Sequence, residues 1–253
     1  MTNHGASAAS GALYRKSRFL MVVDSDAGHL SYLSMILERF NYQFFKAATA
    51  GEALESATIA VPCLIILDLH LTDMHGFDLI QRFKLNPKTS HVPVIAHSKH
   101  SDPDLKQRCF DVGAVGCLYR PIEAEALYQA VQVAVERNPR RSMRIRTVQP
   151  VKVNNIDFGG ADGACTLDLS DCGMYLRNAN PVPVNTKLSL RINLNNTVVT
   201  TEAVVLYTCT SGEGPYHEPG MGLKFVGISQ KDQQVIRQFI KDEVMQNIAQ
   251  GNA

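Results

Sequence analysis

The chain has 253 residues, of which 45% are hydrophobic and 19% charged, and its formal net charge is +1. This length allows one large domain or two modest ones, and the near-neutral charge argues against a nucleic acid or a membrane surface as a partner of the whole chain. No apolar run approaches the ~20 residues of a membrane-spanning helix, so we expect no membrane insertion.

Residues 1–16 are mostly small or polar and lack the basic and apolar segments of a signal peptide, so we expect a disordered tail and a cytoplasmic protein. The six cysteines are scattered without a C-x-x-C pair, which is typical of reduced thiols. His97 and His100 follow a predicted strand with no other ligand candidates nearby in sequence. We therefore expect both to be surface histidines rather than metal ligands.

Residues 17–137 alternate short apolar runs with amphipathic stretches. The apolar runs include "FLMVVD" at 19–24, "CLIILDL" at 63–69, "VPVIAHS" at 92–98 and "GCLYRP" at 116–121. Repeated strand–helix units imply right-handed crossovers and a parallel sheet that is covered on both faces. The pattern therefore predicts an α/β domain with a doubly wound, five-stranded parallel sheet.

Polar residues stand where the predicted strands end. In open parallel sheets, ligands bind outside the carboxyl ends of the strands, so these residues are expected to meet at one edge. They are Asp24, Ser25, Asp26, Asp68, Ser98 and Arg120.

Four blocks, "VVDSD", "LIILDLHLTDMHGFDL", "VPVIAHSKHSD" and "GCLYRPIEAEAL", resemble in order and spacing the receiver domain of response regulators, which has a flavodoxin-like fold. The resemblance implies that Asp68 is the phosphoacceptor and that a histidine kinase is a partner. It also implies that Asp24 and Asp68 hold Mg²⁺, that Ser98 bonds a phosphoryl oxygen and that Arg120 neutralises another.

Two departures from the family pattern bear on this assignment. Ser25 stands where the family has a second acidic residue, with Asp26 one position further on, and Arg120 stands where the family has a lysine. A planar guanidinium is not equivalent to a compact ammonium in a tight site. Two alternatives therefore stay open: Asp68 is phosphorylated, or the domain is a pseudo-receiver that serves as a docking or dimerisation surface.

A basic segment separates the two halves of the chain. "RNPRRSMRIR" at 137–146 contains five arginines and no acidic residue, and Pro139 ends the preceding predicted helix. We take 138–146 as an Arg-rich junction between domains. It is either a solvated basic turn or part of an anion site.

Residues 147–253 carry a different pattern. "TKLSLRINL" at 186–194 alternates strictly between apolar and polar residues, and the Asn195–Asn196 pair after it favours a hairpin. Residues 229–250 form an amphipathic pattern typical of a helix. The pattern predicts a six-stranded antiparallel β-barrel with a terminal helix.

The spacing Arg-x3-Arg, followed further on by D-x-S-x-x-G, resembles the PilZ domain, a receptor for cyclic di-GMP. Arginine can bind phosphate bidentately and can donate two bonds to guanine, whereas a carboxylate can accept from guanine N–H groups. A glycine allows close approach of the backbone to a ligand. The resemblance implies a cyclic di-GMP site made of Arg140, Arg141, Arg144, Asp168, Ser170 and Gly173.

Together, the resemblances imply a non-enzymatic signalling adaptor. No helix-turn-helix pattern is present in 147–253, so we expect output through protein–protein contact, with motility, chemotaxis or surface-polymer machinery as candidate targets. One alternative is a degenerate scaffold that binds no nucleotide and is not phosphorylated. Another is nucleic-acid binding by the arginines of 137–146, which the lack of interleaved aromatic residues disfavours.

Overall fold

The computed structural model describes residues 18–154, 165–210 and 217–250, with side chains up to 246. The chain divides into two compact units, and the boundary lies between Arg141 and Ser142. The tail that the sequence predicts over 1–16 lies outside the described residues. Within the described part, no helix combines the length and the apolar character needed to cross a bilayer.

The first unit is an α/β sandwich, as the sequence predicts. Five parallel strands lie in the order β2-β1-β3-β4-β5. The strands are β1 (Phe19–Val23), β2 (Gln43–Ala47), β3 (Leu64–Asp68), β4 (Val94–Ser98) and β5 (Gly116–Tyr119). The helices are α1 (Ala27–Arg39), α2 (Ala50–Ile59), α3 (Gly76–Leu85), α4 (Leu105–Asp111) and α5 (Ala124–Val135).

Local interactions fix where these helices begin. Asp26 caps α1 by accepting from the His29 amide, and Thr49 caps α2 through its hydroxyl. Asp73 adds a second cap to α2, because its carboxylate accepts from the amides of Ala50 and Gly51 at 2.9 and 3.0 Å. These caps satisfy backbone donors that have no partner within the helix. They also fix the loops that follow β1 and β3.

The second unit is one antiparallel sheet that curls into a half-barrel. Its order is β6-β8-β9-β12-β11-β10-β7. The strands are β6 (Arg144–Arg146), β7 (Val151–Val153), β8 (Cys165–Ser170), β9 (Gly173–Arg177), β10 (Lys187–Leu194), β11 (Thr197–Cys209) and β12 (Gly220–Phe225). The terminal helix is α6 (Gln230–Gln250).

In the second unit, the described residues form seven strands where the sequence predicts six, because part of the predicted junction is itself a strand. The three residues of β6 pair with β8 and extend the sheet by one edge strand. The expected hairpin at Asn195–Asn196 is confirmed: it joins β10 to β11, and Asn195 has a positive φ of 54°. Every second residue of β10 is buried, as its alternating sequence predicts.

Candidate functional site

Polar side chains gather at the carboxyl ends of four strands in the first unit. Asp24 follows β1, Asp68 ends β3, Ser98 ends β4 and Arg120 follows β5. Asp24 and Ser98 are fully buried, and Asp68 is 2% exposed. Neighbouring parallel strands end at the same edge of the sheet, and this brings the four residues into one pocket.

Arg120 is the centre of this pocket. Its Nη2 donates to Oδ2 of Asp24 at 2.6 Å and to Oδ2 of Asp68 at 2.8 Å, and its Nη1 donates to Oδ2 of Asp26 at 3.3 Å. Hydrogen bonds between charged groups are short and strong, more so where water is excluded. The guanidinium is therefore an internal counter-ion for three carboxylates.

The two carboxylates after β1 are ionised. Burial raises the pKa of Asp24, but hydrogen bonds from His29 Nδ1 at 2.6 Å and from the Asp26 amide at 2.9 Å, together with the charge of Arg120, hold its pKa below 3.8. The His29 amide and the Lys99 ammonium lower the pKa of Asp26 to about 2. Because ionised Asp24 can only accept hydrogen bonds, His29 Nδ1 is the donor in its bond to Asp24.

The two serines of the predicted pocket have their hydroxyls engaged with backbone groups. Ser25 Oγ donates to the Ala48 carbonyl at 3.0 Å and accepts from the Thr72 amide at 3.1 Å. Ser98 Oγ is bonded to the carbonyl and the amide of His100. The structure thus gathers the three carboxylates around Arg120, while both serine hydroxyls stabilise loops.

His29 and His97 belong to the pocket although sequence reasoning did not place them there. The expectation that His97 lies on the surface is wrong, because β4 is covered on both faces and all five of its residues are buried. Burial lowers the pKa of His97 to about 3, so its ring is neutral. The sequence signal that could have predicted this burial is the position of His97 inside a continuous apolar strand. His100, two residues beyond the strand, is exposed.

The Mg²⁺ that the family implies does not fit this arrangement. Mg²⁺ needs near-octahedral oxygen ligands, and the pocket would supply them from Asp24 and Asp68. Nη2 of Arg120 lies between these carboxylates and bonds an oxygen of each. The ion and the guanidinium would compete for the same oxygens.

The second unit brings arginines and the predicted polar motif together across β6 and β8. Arg144 is paired with Ser170, and Arg146 is paired with Asp168. Directly opposed residues of an antiparallel pair point to the same face, so these four side chains share one face of the ladder. The intervening pair, Ile145 and Leu169, is fully buried.

Arg144 has a polar atom without a partner. Its Nε is buried, and no group among the described residues lies within hydrogen-bond reach of it. Buried donors without a partner are rare in folded proteins and are often explained by an ion or ligand. Arg146, which lies next to the motif in sequence but is not required by it, is exposed on the same face. The strand pairing that reveals this position could not be read from the motif alone.

Ser170 and Gly173 shape the hairpin between β8 and β9. Ser170 Oγ donates to the Gly173 carbonyl at 2.9 Å, which closes the turn. A Cβ on Gly173 would lie 2.3 Å from the Leu223 carbonyl oxygen on β12. The packing of β9 against β12 therefore requires glycine at this position.

The same turn is joined to the terminal helix. Asp171 is 5% exposed, and its Oδ2 accepts from Nε of Arg237 on α6 at 2.5 Å. Gln233, one turn earlier on α6, donates to the Asp171 carbonyl at 3.3 Å. The helix thus fixes the turn that carries the D-x-S-x-x-G motif.

Arg140 and Arg141 belong to the first unit, which ends at Arg141. The Arg140 amide donates to Oε1 of Gln132, and Nε2 of Gln129 donates to the Arg141 carbonyl. Both glutamines lie on α5. The backbone of this part of the predicted junction is therefore hydrogen-bonded to the last helix of the receiver-like unit.

A phosphoacceptor-type pocket on a five-stranded parallel sheet, followed by a curled sheet with arginines opposite a D-x-S-x-x-G turn, defines a two-domain signalling protein. The family model for the response regulator receiver domain matches residues 20–132, and the model for the PilZ domain matches residues 138–242. The chain belongs to the response regulators and carries a receiver domain followed by a PilZ domain. These are domains of two-component signalling and cyclic di-GMP binding, and both families are non-enzymatic.

Two curated relatives each match less than half of this chain. The two-component response regulator ORR12 of Oryza sativa subsp. japonica is 30% identical over 112 residues, 42% of this chain and 89% of that protein. A protein of Vibrio cholerae named a probable cyclic di-GMP phosphodiesterase is 29% identical over 118 residues, 46% of this chain. This chain covers 26% of that protein's length.

Among solved structures, the chemotaxis protein CheY4 of Vibrio cholerae is 26% identical to this chain. The match covers 46% of this chain and 98% of CheY4, with a TM-score of 0.44.

Proposed function

We propose that the protein is a signalling adaptor that binds cyclic di-GMP on its PilZ domain and takes a second input at its receiver domain. The observation that carries the nucleotide assignment is the register of β6 and β8, which sets Arg144 opposite Ser170 and Arg146 opposite Asp168. Guanidinium groups and a carboxylate on one face match a ligand with two phosphates and two guanines.

Each group has a chemical role in this binding mode. Arg144 and Arg146 donate to phosphate oxygens or to O6 and N7 of guanine, which arginine can bind bidentately. Asp168 accepts from guanine N–H groups. The buried Nε of Arg144 has no partner in the described part of the chain, so a side-chain rotation that brings this nitrogen to the ligand breaks no hydrogen bond of its own. The resemblance to the PilZ motif also implies Arg140 and Arg141, in the preceding segment, as ligand-binding residues.

Calorimetric titration of the full chain with cyclic di-GMP tests this proposal. Arg144→Ala is expected to weaken binding about 10–100-fold, because a hydrogen bond to a charged group contributes roughly 1.5–3 kcal/mol. Arg191→Ala is the matched control, since Arg191 is an exposed arginine on β10 of the same sheet. Arg140→Ala, measured alongside, determines whether the preceding segment contributes.

Two results would contradict the nucleotide assignment. If the wild-type chain shows no heat of binding at about 100 µM cyclic di-GMP, the degenerate scaffold is favoured. This concentration lies far above the range of specific binding. Equal affinities of the Arg144 and Arg191 variants place the ligand elsewhere. Binding of random duplex DNA with a steep salt dependence would favour the nucleic-acid alternative.

For the receiver domain, we infer an input by protein docking in preference to phosphorylation. Asp68 would attack phosphorus as a carboxylate nucleophile, but one of its oxygens is bonded to Arg120 and the other accepts from the His70 amide at 3.0 Å. Phosphorylation requires these bonds to break and a metal ion to enter where the guanidinium lies. Output then passes to a protein target, for which motility, chemotaxis and surface-polymer machinery are candidates.

A small phosphodonor distinguishes the two inputs. We expect no acyl phosphate on the wild-type chain and its appearance in Arg120→Lys, where a compact ammonium leaves more space between the carboxylates. Asp68→Asn in the Arg120→Lys background is the control. If the wild-type chain is labelled and Asp68→Asn alone is not, Asp68 accepts a phosphoryl group without any change at Arg120, and this result contradicts the preference for docking.

A further inference from the structure

The pocket of the receiver domain contains a group of side chains that the proposed function does not use. Asp24, His29 and His97 each offer one ligand atom, and these three atoms lie within 4.8 Å of one another. Asp24 and His97 are fully buried, and the His29 side chain is 12% exposed. The three residues come from the end of β1, the first turn of α1 and the middle of β4.

His97 is the unexplained member of this group. Its Nε2 lies 3.7 Å from Oδ2 of Asp24 and its Nδ1 lies 3.9 Å from Oδ1 of Asp68, and both distances are too long for hydrogen bonds. Neither nitrogen has a hydrogen-bond partner among the described residues, and Nε2 of His29 has none either. An unsatisfied buried polar group costs about 1–3 kcal/mol, so one imidazole with two such nitrogens requires a reason.

The charges around this group favour a cation. Asp24, Asp26 and Asp68 carry three negative charges, and Arg120 supplies one positive charge among them. Lys99 contacts Asp26 at the rim and adds a second positive charge, so one negative charge is left in the pocket. That remaining negative charge favours the binding of a cation.

The donor atoms identify the class of cation. Two imidazoles and one carboxylate suit zinc and related transition metals, whereas Mg²⁺ prefers oxygen ligands only. A tetrahedral zinc ion, with bonds of about 2.0–2.2 Å, holds its ligand atoms about 3.3–3.6 Å apart. Side-chain shifts of about 1 Å would bring these three ligand atoms to such positions.

We propose that Asp24, His29 and His97 form a binding site for a zinc-class divalent cation inside the receiver domain. The ion binds Nδ1 of His29, Nε2 of His97 and Oδ2 of Asp24, and a fourth position stays open for water. Binding releases the Nδ1 proton of His29 to solvent and replaces the hydrogen bond from His29 to Asp24 with two metal bonds. Only Asp24 is shared with the carboxylates that the family implies for Mg²⁺. Asp24 can accept from Arg120 while it binds the ion, because ligating carboxylates are commonly hydrogen-bonded in their turn.

Titration of the chelator-treated full chain with Co²⁺ tests the proposal, since tetrahedral Co²⁺ has visible absorption bands. We expect one equivalent to bind, Zn²⁺ to displace it and millimolar Mg²⁺ to leave it in place. His29→Gln keeps a side-chain donor to Asp24 but removes a ligand. It should weaken Co²⁺ binding by more than about 100-fold, beyond the 10–100-fold loss typical of residues that only orient a ligand.

The matched control is His70→Gln. His70 is 44% exposed, and its ring lies 5.2 Å from that of His100 and 6.0 Å from that of His75, so these surface histidines are the rival site. Unchanged binding in this variant supports the buried site. Binding that is lost in His70→Gln and kept in His29→Gln overturns the proposal, as does the absence of a tetrahedral Co²⁺ spectrum in the wild-type chain.

A second variant keeps the test informative if His29→Gln does not fold, as judged by circular dichroism. His97→Leu replaces the unpartnered ring with an apolar side chain, so the fold should be kept while metal binding is lost. A folded His97→Leu variant with wild-type affinity for Co²⁺ also overturns the proposal.

Discussion

Replacement of Arg120 by glutamine should strongly destabilise the receiver domain at neutral pH. The change removes the positive charge and keeps most of the length of the side chain. It leaves Asp24 and Asp68, which are 0% and 2% exposed, without the cation that bonds both of them. The structure therefore predicts a loss of folding free energy that originates in uncompensated buried charge.

The expected magnitude is about 3–5 kcal/mol, the usual cost of removing one partner from a buried ion pair. The lower end applies, because Asp24 keeps its bonds from His29 and the Asp26 amide, and Asp68 keeps its bond from the His70 amide. In the wild-type chain, the pKa of Asp24 lies below 3.8, so its contribution to stability is present above pH 3.8 and lost as the pH falls through the folded value. In the variant this pKa rises, so the defect should shrink as the pH is lowered from 7.

Hydrogen exchange with peptide resolution measures this loss within the full chain. Peptides from β1 and β3 report the unfolding free energy of the receiver domain, while peptides from β10 and β11 serve as an internal reference. Arg108→Gln is the matched control, because Arg108 and its partner Asp102 are 54% and 44% exposed and such pairs contribute at most about 1 kcal/mol. A change below about 0.5 kcal/mol in Arg120→Gln would refute the reasoning, since it lies within the range of ordinary surface substitutions.

Three further substitutions follow from single contacts. Gly173→Ala should destabilise the PilZ domain by roughly 1–3 kcal/mol without any nucleotide present, because the new Cβ meets the Leu223 carbonyl; an unchanged melting temperature would contradict this. Arg237→Gln should cost about 1.5–3 kcal/mol in urea denaturation, because buried Asp171 loses a charged donor, and equal midpoints would contradict it. Asp73→Asn should cost about 0.5–2 kcal/mol as a weakened helix cap. Backbone hydrogen bonds lower the pKa of Asp73, so the difference in unfolding free energy between the wild-type chain and Asp73→Asn should be constant above about pH 5 and shrink below pH 3.8. A free-energy difference that grows in acid would contradict this.

The sequence predicted most of the fold because its patterns are local. Alternation along β10, the Asn195–Asn196 turn and the buried run of β3 each specify one element through the burial of neighbouring residues. The polar residues at strand ends were also accessible, since parallel strands place their carboxyl ends at one edge. The fold and the neighbourhood of the receiver pocket follow from these patterns.

The details of the sites depend on contacts between distant residues, which a single sequence does not reveal. Arg120 bonds Asp24 across 96 positions of the chain, and Arg237 bonds Asp171 across 66. In the sequence, Arg144 belongs to a segment that reads as a junction between domains, whereas in the structure it lies in β6. Three residues are too few for a periodic pattern, so only pairing with β8 defines that strand.

The two domains differ in whether their charged groups already have hydrogen-bond partners. This difference predicts which of the two inputs requires a prior rearrangement of the protein. A phosphoryl group at Asp68 must displace the guanidinium of Arg120, which holds three carboxylates within 2.6–3.3 Å. On the PilZ domain, a ligand meets Arg144, whose buried Nε lacks a partner within the described residues. Binding there makes a hydrogen bond that the protein does not already have, while phosphorylation first breaks several. Cyclic di-GMP should therefore act without prior activation, whereas any chemistry at Asp68 requires that Arg120 first be drawn out of its pocket.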